Sequence, residues 1–263
     1  MEAIGAWNTG VNIDVGVRTQ RAEAALGRFQ RSTTSLESAI SRLGRTMVTV
    51  FSAVAIEEFV RRSTNAFLSF NREIANVATM SEANIARMER AVQRLAIRYG
   101  KELVDSTKAL YNIVSSGYDG AKALEVLDAS MRAAKAGAAG LKESADAVIA
   151  TMKSYGMETS ELNKILDVQF ATLKKGRLTY SELAHAVGFF LPQARSLGED
   201  LSAAMGAFAY LTQIISPDEA KVSLNAIYRN LAQNVDKFRE LGIQLYDSQG
   251  KSVSYTHLTL PTN

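Results

Sequence analysis

From residue 100 onward the apolar periodicity of the chain is cut repeatedly by glycine, at Tyr99-Gly100, Gly117-Tyr118-Asp119-Gly120, Ala136-Gly137, Tyr155-Gly156, Lys175-Gly176 and Leu197-Gly198. A residue just past a helix end commonly takes the left-handed conformation, which costs glycine nothing and other residues about 1 kcal/mol. Gly100, Gly117, Gly120, Gly137, Gly156, Gly176 and Gly198 therefore read as helix terminators. The starts are marked too. Thr179 with Glu182 and Ser216 with Glu219 have capping-box spacing, the second with Pro217 at the first helical position. This spacing predicts helices over 101–116, 121–136, 142–155, 160–175, 181–197, 200–214 and 217–235, packed as successive antiparallel hairpins because the connections are short. Pro192 is expected to kink the fifth of these by removing one helical hydrogen bond.

The residues ahead of this region have a different texture. Val11, Ile13, Val15 and Val17 alternate with Asn12, Asp14 and Gly16, a period of two that predicts one short strand. Phe29, Thr33, Leu36, Ile40, Leu43, Met47, Val50 and Val54 then step alternately by four and three, the seam of a coiled coil with one polar seat. A second series follows at Ile56, Val60, Ser63, Phe67, Phe70, Ile74 and Val77, and a third at Ile85, Met88, Val92, Leu95 and Tyr99. Each series lasts only a few heptads, so core stripes of an ordinary bundle remain the alternative reading. The expected organisation is a strand and lead-in over 1–20, long amphipathic helices over 21–80, a helical core domain over 81–242 and the start of a hairpin over 243–251. The expected fold class is all-α, with coiled-coil-like helices ahead of a multi-helix bundle and one short strand. Three prolines in 263 residues argue against a sandwich or barrel.

Inventory removes most chemistry. With no cysteine, disulfide scaffolds, zinc fingers, iron–sulfur centres and thiol nucleophiles are excluded together. Of the two histidines, His185 lies in an uncharged stretch and reads as a packing residue. Residues 137–144 lack the Gly-Lys-Ser/Thr of a phosphate loop and no strand precedes them. Glu57-Glu58, Glu199-Asp200 and Asp218-Glu219 read as carboxylates at helix surfaces and first turns, and Phe67 with Phe70 and Phe189 with Phe190 as core aromatics. No catalytic, cofactor or metal site is expected. Residues 1–100 hold 13 Arg, no Lys and 9 acids, whereas the remainder is nearly neutral. No run of five like charges occurs, so sequence-specific nucleic-acid binding is not expected. The apolar stretches at 47–56 and 201–215 are shorter than the ~20 residues of a membrane span and read as buried helix.

Ordered short runs carry a resemblance. They include Ala78-Thr79-Met80-Ser81, 86–92, 109–120, 133–137, Ser154-Tyr155-Gly156, 170–176, Leu197-Gly198 and 209–213. In this order they resemble the core region of phage tail tape measure proteins over about residues 65–242. A departure lies at Ile214-Ile215-Ser216-Pro217, where many relatives have a glycine-containing turn, so a differently built turn is expected. The resemblance implies a structural component of the virion tail lumen, present in the host bacterial cytoplasm during assembly, that sets tail length and leaves ahead of the DNA. Implied partners are further copies of the chain, the tail tube protein, tail assembly chaperones and tail-tip or baseplate proteins, with host membrane contact during ejection. The seam at Phe29, Leu36, Ile40, Leu43, Met47 and Val50 is the expected oligomer contact. A membrane-active or pore-forming helical protein is the competing reading, motivated by the uncharged stretches 183–194 and 201–215. Residues 252–263 resemble translated read-through of a sequencing adapter, and the authentic protein is expected to continue past Lys251.

Overall fold

The computed structural model describes Ser38 and residues 53–234. The expected strand at 11–17, the seam seats from Phe29 to Val50, the hairpin start at 243–251 and the 252–263 tail all lie outside the described residues. Those described form nine α-helices and one short 3-10 turn, with no strand. The helices are α1 Ala53–Met80, α2 Ile85–Tyr99, α3 Leu103–Ser115, α4 Gly120–Ala136, α5 Leu141–Tyr155, α6 Leu162–Lys175, α7 Tyr180–Ser196, α8 Leu201–Leu211 and α9 Pro217–Gln233. The 3-10 turn, Thr159–Glu161, leads into α6.

The local signals act where they were read. Thr179 accepts from the Glu182 amide, Glu182 accepts from the Thr179 amide at 2.7 Å, and Ser216 with Glu219 repeats the arrangement at α9. Each box satisfies amide donors that the first turn of a helix leaves without partners. Gly100, Gly117, Gly156 and Gly198 follow helix ends with φ between +64° and +98°, as terminators require. Three of the seven glycines act otherwise. Gly120 has φ +56° but opens α4. Gly137 and Gly176 are not left-handed; the residue after α4 with positive φ is Ala138, at 50°. These two glycines supply space: an added Cβ would lie 2.6 Å from Tyr180 Cβ at Gly137, and 2.7 Å from Thr212 Oγ1 at Gly176. The turn at 212–216 closes through amides of Ile214 and Ile215 on the Leu211 carbonyl, both at 2.9 Å, with no left-handed residue. α7 runs through Pro192 without ending there.

The described residues divide into two compact units, one of those up to 94 with 102–120 and one of 95–101 with those from 121 onward. In the first, α1 packs on α3. Phe70, Ile74, Val77 and Ala78 of α1 and Ala109, Leu110, Ile113 and Val114 of α3 are buried, as are Ile85, Met88 and Val92 of α2. The described parts of the second and third apolar series are thus core stripes, and no coiled coil is seen among the described residues. The stripes are covered by the chain's own helices, which removes the exposed apolar seam a coiled coil needs.

In the second unit α5 packs most extensively on α7, α7 on α9 and α6 on α8. Successive hairpins are not the main mode of packing; helices two apart in sequence pack more extensively than neighbours do. Side-chain size explains the most extensive of these pairs. α5 carries Ala147 and Ala150 on one face and α7 carries Ala184 and Gly188 on one face, and a Cβ on Gly188 would meet Ala150 at 3.7 Å. Small residues on both helices shorten the interaxial distance, whereas loop length constrains only which ends lie near each other. Around this pair lies a core of Leu183, Val187, Phe190, Leu201, Met205, Phe208, Leu224 and Tyr228. The Phe190 and Phe208 rings stack with centroids 5.0 Å apart. The uncharged character of 183–194 and 201–211 follows from this burial. No described helix is long and apolar enough to cross a membrane.

Candidate functional site

Three polar constellations stand out, two in the second unit and one in the first. In the second unit, Gln169 is fully buried between α5, α6 and α7. Its Oε1 accepts the Tyr180 hydroxyl at 2.6 Å, while its Nε2 donates to Thr151 Oγ1 at 3.1 Å and to the Ala147 carbonyl at 3.4 Å. Thr151 in turn donates to Ala147 O at 2.8 Å. Every polar atom of the amide therefore has a partner, the condition under which a buried polar group specifies a packing instead of weakening it. The Tyr180 ring stacks on Phe170 with centroids 5.4 Å apart, and burial pushes its hydroxyl pKa up. Nothing in the sequence marked Gln169, because a single glutamine at a core register of an amphipathic helix has no local signature.

The first unit has a carboxylate clasp at Asp119. Ser81 donates its hydroxyl to Oδ1, the Gly120 amide donates to Oδ1 at 2.7 Å, and the Glu82 amide donates to Oδ2 at 2.8 Å. The Ser81 oxygen accepts from the Ala83 amide at 3.1 Å. Burial raises the Asp119 pKa, but these donors outweigh it and hold the carboxyl below its usual value. The turn after α1 and the turn before α4 are tied by one side chain. Both Ser81 and Asp119 fall inside the sequence runs that carried the family resemblance.

Near the ends of α5 and α7, the second unit gathers Tyr155, Arg195, Glu199, Asp200 and Tyr228. The Arg195 guanidinium lies 5.6 Å from the Tyr155 ring centroid, and the buried Tyr155 hydroxyl has no hydrogen-bond partner among the described residues. Burial, followed by the Asp200 charge, raises the Glu199 pKa. Glu199 is thus not the plain surface carboxylate its sequence position suggested. Its negative charge also contributes to raising the pKa of Tyr155 and Tyr228, whose main cause is burial.

The two carboxylates are expected to push stability in opposite directions with pH. Asp119, depressed on folding, contributes stability above its unfolded pKa that is lost as pH falls through its folded value. Glu199, raised on folding, binds its proton more tightly when folded, so its ionised form detracts at neutral pH and the deficit disappears on acidification. Glu199→Gln should raise the thermal midpoint at pH 7 and leave it unchanged near pH 4. Asp119→Asn should lower it at pH 7 by the equivalent of about 1–2 kcal/mol, allowing for partial exposure. Melting curves at the two pH values check both signs, and a Glu199→Gln protein less stable at pH 7 would contradict this account.

A cleft of about 500 Å3 lies in the second unit between the turns that precede α7 and α9. Arg177, Glu182, Thr212, Gln213, Ile214 and Glu219 line it. Glu182 and Glu219 are already engaged as helix caps, and Gln213 Nε2 donates to the Lys175 carbonyl at 2.6 Å. The cleft offers no nucleophile–base pair. His185 is exposed on α7, and the Asp218 carboxyl is held low chiefly by Lys221 and only to a minor degree by His185. Phe190 is buried as expected, but Phe189 is 49% exposed. Among the described residues no three His, Asp or Glu side chains converge as metal ligands.

No solved structure matches the chain. The tape measure protein of Pneumococcus phage Dp-1 is 20% identical over 259 residues, an alignment covering 92% of this chain. It covers 22% of that protein, so the chain spans about a fifth of its relative's length. The profile of the phage-related minor tail proteins matches residues 89–260, a range that contains Asp119, the Gln169 network and helices α3 to α9. With that match covering well over half of the sequence, the chain belongs to the phage-related minor tail protein family.

Proposed function

We propose that the chain is part of a tape measure protein that sets tail length during assembly, occupies the tail lumen and is expelled ahead of the DNA. The observation that carries this reading is the similarity to the phage Dp-1 tape measure protein along nearly the whole chain. The role is mechanical, not catalytic. An α-helix advances 1.5 Å per residue, so a continuous helical ruler converts chain length into distance. Residues 141–233 do not have that form: they are short helices packed around a common core. In this reading they are a packed module at one position along the ruler, and the measuring length lies in other parts of the polypeptide. Copies associate through the seam at Phe29, Leu36, Ile40, Leu43, Met47 and Val50, and the tube protein, assembly chaperones and tail-tip proteins are the further partners. Contact with the host membrane belongs to the ejection step.

Two deletions in the complete tape measure gene test the division of labour. Removing one in-frame heptad from a predicted rod segment outside the module should shorten the tail by about 10 Å. Removing α6 through α8 should prevent tail assembly. Electron micrographs of tails read both results, and tails shortened in proportion to the α6–α8 deletion would show that the module is stretched along the tube, against this reading.

A further inference from the structure

Helix α2 presents a line of arginines to solvent. Arg87, Arg90 and Arg94 are all exposed, and none forms an ion pair among the described residues. At 3.6 residues per turn their directions fall within about 60° of one another, and at 1.5 Å per residue the line is about 10 Å long. Glu89, the acid of this helix, points about 160° away from Arg87 by the same geometry. The opposite face carries Ile85, Met88 and Val92, all buried. Counting runs of like charge misses this line, because its members are three and four residues apart and come together only on a helix.

We propose that this line docks the phosphodiester backbone of DNA without regard to sequence. Magnitudes separate the anionic partners. Exposed arginine–carboxylate pairs are worth roughly 0.2–1 kcal/mol each and weaken with salt, too little for three of them to hold an acidic protein. Duplex DNA carries one charge per ~1.7 Å of axis with condensed counterions, so a line about 10 Å long meets several phosphates and gains from the ions it releases. Guanidinium also matches phosphate geometry through paired donors. An anionic bilayer would call for apolar side chains beside the cations. Ile97, 83% exposed, is the one large apolar side chain that α2 exposes, too little apolar surface to anchor a helix in a bilayer. With no aromatic residue in the line there is nothing to stack on bases, so the contact is to the backbone and carries no sequence preference. This inference is independent of the length-setting role.

The test is fluorescence anisotropy of a labelled mixed-sequence 20-base-pair duplex titrated with the full chain between about 20 and 200 mM NaCl, a range chosen for counterion release. The triple variant Arg87→Gln/Arg90→Gln/Arg94→Gln should keep the parent thermal midpoint and lose at least about tenfold in affinity at low salt. Its log–log salt slope should be shallower by about 2–3, near 0.9 for each phosphate contact removed. Arg90→Gln alone should remove about one unit of slope, which keeps the test decisive should the triple variant fold poorly. The proposal is overturned by absence of binding at the lowest salt or by variants that bind like the parent. It is also overturned if arginine-dependent binding is tighter to phosphatidylglycerol vesicles or to polyglutamate of equal charge than to the duplex.

Discussion

Replacing Gly137 by alanine is expected to destabilise the second unit by about 3 kcal/mol or more, at the upper end of the range for inserting a methyl group into a packed core. The added Cβ would lie 2.6 Å from both Cβ and Cγ of Tyr180 and 3.0 Å from its Cδ2. The Tyr180 Cβ is fixed by its backbone, so a rotamer change that moved Cγ and Cδ2 would still leave that clash. Tyr180 is also held at its far end: its hydroxyl is bonded to Gln169 and its ring is stacked on Phe170. Its backbone opens α7 immediately after the Thr179 cap, so moving it would disturb the capping box as well. The thermal midpoint should fall by about 6–12 °C, taking 2–4 °C per kcal/mol for a unit of this size. A change below about 2 °C would mean that α4 can shift away from Tyr180 at little cost and that Gly137 is not there for space.

Disrupting the Gln169 network should give the second large effect, with a pattern that distinguishes it from simple loss of volume. Gln169→Leu leaves the Tyr180 hydroxyl buried without an acceptor and removes the amide donor to Thr151, and should cost about 2–3 kcal/mol. Tyr180→Phe leaves Oε1 of Gln169 unpaired and should cost about 1–2 kcal/mol. In the double variant neither orphan remains. Its loss should be smaller than the sum of the two single losses by about 1 kcal/mol or more. Denaturant unfolding of the four proteins measures the coupling, and strictly additive losses would show that the hydrogen bond between the two side chains contributes nothing specific.

The same residues mark the boundary between local and distant causes. Helix positions in 103–233 were legible because their determinants lie within about one turn of the helix end. The Thr179–Glu182 and Ser216–Glu219 boxes and the left-handed glycines at 100, 117, 156 and 198 answer to backbone sterics and to amides three residues away. Apolar periodicity was equally legible, but its meaning was not. Whether Phe70, Ile74 and Val77 face a second chain or α3 depends on what lies thirty to forty residues further on, and the periodicity is the same in either case. Family membership was readable for a related reason, since it rests on an ordered series of short local runs.

What only the tertiary structure decided concerns approach between distant segments. Gly137 and Gly176 share their residue type and position with true terminators, yet the first is set by Tyr180 of α7, and at the second an added Cβ would meet the Thr212 hydroxyl at the end of α8 as well as the nearby Leu178 side chain. The close pairing of α5 with α7 follows from small residues meeting across an intervening helix, which short loops did not foretell. Glu199, an ordinary acid just ahead of a helix cap by position, is perturbed by burial near Tyr155 and Tyr228, brought there from two other helices. Capping and helix termination act over a few residues of backbone and can be read in sequence order. Side-chain volume, desolvation and hydrogen-bond satisfaction depend on the neighbours that folding supplies, and so they became visible only when the helices were placed together.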